Sequence, residues 1–482
     1  MRVSNGPGIN KEEFLNMNVT TERKNFMDLQ EAQRELAEKI TEWFSSLSTK
    51  SAATESAIAR VSIEVASGTL PLSWLRSSKA DSKNYWSDRS NDFEMAGAGV
   101  CLAWSSNNYH EVEKIINEAA KSLENCDDTI RIYGGISFPS GGRKHVRSDW
   151  SAFPSCRFVI PRFELIKKRN KCSLVCNLNN ADVSNLKSIL EELKNWVLNE
   201  AEKFFSEARI SSRVDLPTFD GWSGAINSII DDFSKGKVEK IVLARETTFE
   251  FNEQYEALAL LERLSAATPQ CYHYYFQPIS GTAFLGASPE QLYSRKNLEI
   301  TSEALAGTRP RGESSETDQT LGRELLKNEK ELREHKYVVE NIKAALDRLC
   351  ESYYLTNATA LLKLAQVQHL QTKFIGKLKS KICDADIIRH LHPTSAVGGY
   401  PSASAQSRIA QYEKFDRGWY AGAVGWLAKD AAEFAVAIRS GLMRGNKLKL
   451  FSGAGIVEGS TPEAEWAEIE SKIGSFISAV TD

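Results

Sequence analysis

Residues 27–47, MDLQEAQRELAEKITEWFSSL, repeat apolar side chains at three-to-four spacing and predict an amphipathic helix that packs by one face. From about 57 to 178 the pattern gives way to short β-rich runs, ARVSIEVA, GVCLAWS, TIRIYGGISF, CRFVIP and KCSLVCNL, separated by Gly, Pro, Ser and Asn turns. A long polar helix is predicted at about 183–209, and RISSRVDLPTFDG reads as a connector. Beyond 222, strands such as KIVLARETTFEF, YHYYFQP, TAFLGAS and EFAVAIRSGLM alternate with helices, which argues for a layered α/β or α+β fold. No low-complexity linker separates the two halves. The expected organisation is an N-terminal helical extension (1–55), a sheet-forming half (56–215) and a second half (216–482), intertwined as one domain.

The 482 residues, 42% of them hydrophobic, are ample for a sizeable core. Sixty Lys+Arg against 63 Asp+Glu leave a net charge of −3 with both signs interspersed, so neither nucleic acid nor an anionic membrane is an expected partner. The longest nearly uninterrupted apolar stretch, Ala96 to Trp104, is far short of the roughly 18–20 residues of a membrane span. MRVSNGPGINKEEFL has no secretory core and carries early glutamates, so a cytoplasmic location is expected. Eight scattered cysteines without a C-x-x-C pair read as reduced, packed thiols.

Several stretches carry candidate chemistry. On the helix LGRELLKNEKELREHKYVVENIKAALDRLC, Glu331, Glu334 and His335 share a face with Val338, Ile342, Ala345 and Leu349. These carboxylates are either solvated first turns or holders of a hard cation at the edge of a core. The closing helix starts at the N-cap Thr461 and Pro462. Beside its apolar stripe lie Glu465, Glu468 and Lys472, which alone read as a salt-bridged flank. The preceding FSGAGIV reads as a glycine-rich turn whose backbone N–H groups suit an anion.

Lys240 sits in VEKIVLARE, a strand apolar on both faces, where a lysine either pairs structurally or becomes a neutral general base. Glu290, after Pro289, falls at a break between two strands, from which a carboxyl can point into a cleft. ITSEALAGTRPRG ends a small-residue turn in Thr308, followed by the charged RPRGESSETDQT, which reads as a mobile lid.

Taken together, KIVLAR, FLGASPE, EALAGTRPRG, KNEKELREHKYVVE, QVQHLQT, HPTSAVGGYP, YAGAVGW, AIRSG and GAGIVEGSTPEAEWAEIESK resemble, in order and spacing, the chorismate-utilising enzyme superfamily over about residues 222–478. RIYGGISF and DWSAFPSCRFVIPRFEL look like the isochorismate synthases of menaquinone and siderophore pathways. The resemblance implies a single large α/β (α+β) domain with two extended, mostly antiparallel sheets flanked by helices around a central cleft. It implies Mg²⁺ held by Glu334 and Glu468, with Glu331 and Glu465 bonding metal-bound water. It assigns one substrate carboxylate to Arg439, Tyr420 and the backbone of Gly453, Ala454 and Gly455, and further contacts to Thr308, His369, Ala396 and Lys472. Lys240 is then the base that activates water for attack at ring C2, and Glu290 the acid that protonates the departing C4 hydroxyl.

Lys240 separates water-using members from the aminating branches, which usually carry glutamine there. Ala396 stands where those branches usually have threonine. Expected, therefore, are Mg²⁺-dependent isomerisation of chorismate to isochorismate, no organic cofactor, no glutaminase subunit, and a monomer or homodimer. The alternatives are a salicylate synthase, which adds pyruvate elimination, and less readily an anthranilate synthase component, towards which TRPRG points, or a chorismate binder without turnover.

Overall fold

In the computed structural model, which describes residues 28–47, 58–139, 149–194, 208–356 and 359–481, each of the two large sheets is assembled from both halves of the chain. The 12-stranded sheet begins with five N-terminal strands in the spatial order Ile58–Val65, Lys171–Asn179, Phe163–Lys168, Phe93–Ala98 and Lys83–Ser87. Lys83–Ser87 then pairs with Tyr272–Ile279, and the sheet continues through Thr282–Ser288, Ser440–Arg444, Lys447–Ile456 and Lys240–Phe251 to a short Gly399–Tyr400 edge. The 10-stranded sheet likewise joins Ala423–Leu427 of the second half to Ile132–Ile136 of the first. All these pairings are antiparallel. Because each sheet is continuous across the two halves, neither half can leave without breaking a ladder in both.

The space between the sheets is filled by aromatic rings contributed from both. Trp419 packs at 5.2 Å from Phe153, 5.5 Å from Phe276 and 6.2 Å from Phe284, centroid to centroid. Such edge-on pairs each add about 0.5–1.5 kcal/mol beyond the area they bury. The expected first helix runs Leu29–Leu47, with Ala32, Leu36 and Ile40 fully buried. All eight cysteines are free thiols, buried except Cys383. Among the described residues no helix is long and apolar enough to cross a membrane.

Three expectations change. Of the helix predicted at 183–209, Leu186–Lys194 is helical, and 195–207 lie outside the described residues. The supposed connector contains a strand, Ile210–Leu216, paired along Lys240–Phe251. Its side chains are mostly exposed, so it shows no apolar alternation, and its backbone ladder and the 2.6 Å bond from Thr247 to Asp215 hold it in place. The RPRGESSETDQT segment is not an open lid. Its strand persists to Pro310, and Ser314 caps a helix over Ser315–Leu325. Arg311 pins that helix through two bonds to Asp318, at 2.6 and 3.2 Å.

A buried ion pair ties the strand that starts at Lys240 to the loop after residue 392. Glu413 and Arg417 are each 4% exposed. Arg417 Nε donates to Glu413 at 2.8 Å, and its Nη atoms donate to the Val397 and Val242 carbonyls, while Glu413 accepts from the Ala244 N–H at 2.8 Å. Removing one partner strands the other's charge, which costs about 3–5 kcal/mol. Glu413→Ala should therefore lower the urea unfolding midpoint markedly; an unchanged midpoint would remove this pair from the framework.

Candidate functional site

A cleft of about 710 Å³, its open mouth included, lies where the two sheets, the helices Glu329–Leu349 and Pro462–Thr481, and four loops converge. Glu290, Thr308, Glu334, His369, Ala396, Tyr420, Arg439, Gly453, Gly455, Glu468 and Lys472 all line it. These residues, up to 182 positions apart, all belong to the second half of the chain, and the pairing of its strands and the packing of its two helices bring them into one pocket.

Lys240 is fully buried, one layer behind the cleft wall, with Nζ 3.1 Å from Glu334 Oε1 but no hydrogen bond of good geometry. Room for this contact comes from Gly455. A Cβ there would stand 2.1 Å from Glu334 Oε1 and 3.2 Å from Lys240 Cε, so any side chain would drive lysine and glutamate apart. The GAG stretch is therefore not a turn but the end of the Lys447–Ile456 strand. Its neighbour Ser440–Arg444 pairs only as far as Phe451, whereas Lys240–Phe251 pairs through Ile456. Alternate N–H groups beyond Phe451 consequently point away from any strand, where an anion can take them. Ala454, by the same alternation, is fully buried and does not line the cleft; at most its backbone takes part.

Glu290 follows Thr282–Ser288 after Pro289, and its own backbone is fixed by Ser288 Oγ and by Val436. Its carboxyl is 3% exposed, with Oε1 lacking a hydrogen-bond partner. Burial, with Glu303 next in weight, pushes Glu290 up to about 8, so the acid holds its proton at neutral pH. His369 stands opposite. Gly307 carbonyl lies 3.2 Å from Nδ1 and can only accept, which places the proton on Nδ1; Thr308 Oγ1 is 3.0 Å from the same nitrogen. Nε2, buried and unpartnered, is left as an acceptor for a hydroxyl. Burial and the Arg439 charge lower His369 to about 3, so the imidazole is neutral.

The four glutamates each have a cation. Glu334 faces Lys240, Glu331 accepts from Arg309 at 3.0 Å, Glu465 meets Lys330 at 2.6 Å and Glu468 meets Lys472 at 2.7 Å. They also feel one another. Burial raises Glu331, with Glu334 and Glu468 adding to it, and burial raises Glu465, with Glu468 adding. Burial acts on Glu468 the same way, but Lys472, Lys330 and Arg439 outweigh it and hold it below the usual carboxylate range.

Among the described residues no three His, Cys, Asp or Glu side chains close on a common point as a metal cage. Mg²⁺ does not need one, since it keeps several waters and takes one or two protein carboxylates plus substrate oxygens. The two carboxylates on the cleft wall, Glu334 and Glu468, fit that demand, and the buried Glu465 Oε2 has no hydrogen-bond partner. Glu331 and Glu465 themselves do not line the cleft. His335, on the same helical face, serves the core, bonding Thr372 at 2.9 Å.

Arg439 and Ala421, the residue after Tyr420, both have positive φ, at 50° and 59°. Backbone strain of this kind, about 1–3 kcal/mol per residue, persists where the surroundings force it, and it gathers at binding sites. Tyr420 is braced from below by Phe451, stacked at 5.5 Å. Missed by sequence reasoning were Arg89 and Glu303, which flank Glu290; only the charged residue in the otherwise buried run SEALAG hinted at them.

The chorismate binding enzyme family matches residues 42–481. The chain belongs to this family. Isochorismate synthase MenF of Haemophilus influenzae is 32% identical over 413 residues, covering 84% of this chain and 88% of that protein. The chloroplastic isochorismate synthase of Catharanthus roseus is 32% identical over 81% of this chain and 69% of its own length. The solved structure of MenF, the menaquinone-specific isochorismate synthase of Escherichia coli, superposes with a TM-score of 0.80 at 28% identity over 93% of this chain and 99% of that one. The chorismate-enzyme fold expected from the sequence, with its two antiparallel sheets, is the fold observed.

A carboxyl that titrates near 8 when folded but near its ordinary value when unfolded makes stability fall with pH. Below the unfolded value both states hold the proton; between there and about 8 only the unfolded state releases it. Glu290→Gln should therefore be more stable than the parent protein at pH 8.5, by about a few kcal/mol, and so melt higher, and should match it near pH 4.5. Equal melting differences at both pH values would contradict the protonated state.

Proposed function

We propose that the protein is an isochorismate synthase, converting chorismate to isochorismate with Mg²⁺. The observation that carries this reading is the joint presence, at one cleft, of a buried lysine amine and a glutamic acid that keeps its proton near neutral pH. The relatives matched over most of their length bear the same activity in their names.

In this reading the two carboxylates of the substrate are received differently. Arg439, Tyr420 and the free strand edge beyond Phe451 take the enolpyruvyl carboxylate, for which arginine offers a planar two-pronged donor. Glu334 and Glu468 would hold Mg²⁺, which would supply positive charge for the ring carboxylate. His369 Nε2 accepts from a ring hydroxyl. Lys240 removes a proton from water as its oxygen bonds to C2, the ring double bonds shift, and the C4–O bond breaks. Glu290 gives its proton to that leaving oxygen. One hydroxyl enters and one leaves, so no redox partner is consumed. Water as nucleophile agrees with the lysine and with Ala396 at the cleft wall.

Incubating the protein with chorismate and Mg²⁺, with products separated by chromatography, should yield isochorismate. Salicylate with pyruvate would move the assignment to a salicylate synthase, and no product would leave a binder. Lys240→Ala should lose at least about 10²-fold in turnover while chorismate binding persists; near-parental turnover would dismiss the base. In Glu334→Gln and Glu468→Gln, half-maximal activity should require more Mg²⁺, and an unaltered Mg²⁺ titration would remove both from the metal.

A further inference from the structure

Glu290 is gripped from both sides by groups outside the chemistry so far described. Arg89, in the turn before the N-terminal strand Phe93–Ala98, donates through Nη1 to the Pro289 carbonyl at 2.8 Å. The same Nη1 meets Glu303 Oε1 at 2.6 Å. That Glu303 oxygen accepts the N–H of Gln291 at 2.8 Å, and Gln371 donates to the other oxygen at 2.7 Å. The residue before Glu290 is thus held by Arg89, and the residue after it by the carboxylate that Arg89 pairs with. Glu303 is 2% exposed, while Arg89 lies over the Tyr272 ring at 5.1 Å.

We propose that the Arg89–Glu303 pair is the positioning device for the acid of the site, fixing the Pro289–Gln291 turn and placing a permanent negative charge beside Glu290 so that its proton is retained until the substrate's leaving oxygen takes it. This rests on the reading of Glu290 as that acid. The charged groups facing Glu290 are Glu303 from the strand Glu299–Pro310, Lys240 from its own strand, Lys472 from the closing helix and Arg89 from the N-terminal half. Three of the four are cations and pull the proton off. Glu303 is the one anion among them, so it decides, together with burial, on which side of neutrality the acid sits. An N-terminal arginine thereby acts on chemistry carried by the C-terminal half, 200 residues away from Pro289 in sequence.

The test is an infrared titration of the protein without substrate, following the carboxylic-acid C=O band that disappears in Glu290→Gln. In the parent protein the band should fade with a midpoint of about 8. Glu303→Gln, which keeps the bond to Gln291 but not the charge, should lower that midpoint by about one pH unit or more. Glu303→Asp, which keeps the charge, should restore it. Arg89→Gln removes a cation and leaves Glu303 its two other donors, so the midpoint should rise. A merely structural role would not move the two variants in opposite directions. An unmoved midpoint in Glu303→Gln, with circular dichroism and chorismate binding intact, overturns the proposal. Absence of turnover in the parent protein would instead strike the isochorismate synthase reading, since the infrared titration needs no reaction.

Discussion

Glu331, Glu334, Glu465 and Glu468 gather on two helices, where neighbouring carboxylates add to burial in raising Glu331 and Glu465, and the ligand proposed for the cleft that Glu334 and Glu468 line carries two more negative charges. In water such crowding costs little, but within a protein wall the repulsion is several-fold larger. The architecture around the cleft answers this constraint. Lys240, Arg309, Lys330 and Lys472 each balance one glutamate, and Arg439 and Lys472 also line the cleft. Gly455 is part of the same solution, because only a residue without a side chain lets Glu334 lie against Lys240.

The second requirement is a separation of protons. Glu290 keeps its proton because it is buried beside an anion, whereas His369 stays neutral because it is buried beside a cation. Two groups in one pocket are tuned oppositely in charge but alike in outcome: both are uncharged, one as a donor and one as an acceptor. That arrangement suits a reaction in which one hydroxyl departs and another enters, and it is achieved by residues from both sheets.

Much of this was readable in the chain itself. The doubly apolar run around Lys240 announced a buried lysine, the strand break at Ser288–Gln291 announced Glu290, and Thr461 with Pro462 marked where the closing helix begins. What stayed hidden has physical causes. Ile210–Leu216 is an exposed strand without alternation, so nothing in its side chains betrays the ladder that holds it. The glycines before Ile456 look like a turn because glycine suits turns, yet here they clear space inside a strand. The helix Ser315–Leu325 depends on Arg311 reaching Asp318, a side-chain clasp that composition disguises as a solvated loop. Arg89 and Glu303 lie 214 positions apart, and only the seam where Lys83–Ser87 joins Tyr272–Ile279 brings them together.

If positive and negative charge in the cleft are balanced as described, metal and substrate must help each other bind. Calorimetric titration of Lys240→Ala with chorismate, run with and without Mg²⁺, measures this directly, because the variant binds without consuming its ligand. The account predicts that Mg²⁺ tightens chorismate by about 5–150-fold, and that chorismate tightens Mg²⁺ by the same factor. Equal chorismate affinity with and without the metal would contradict it.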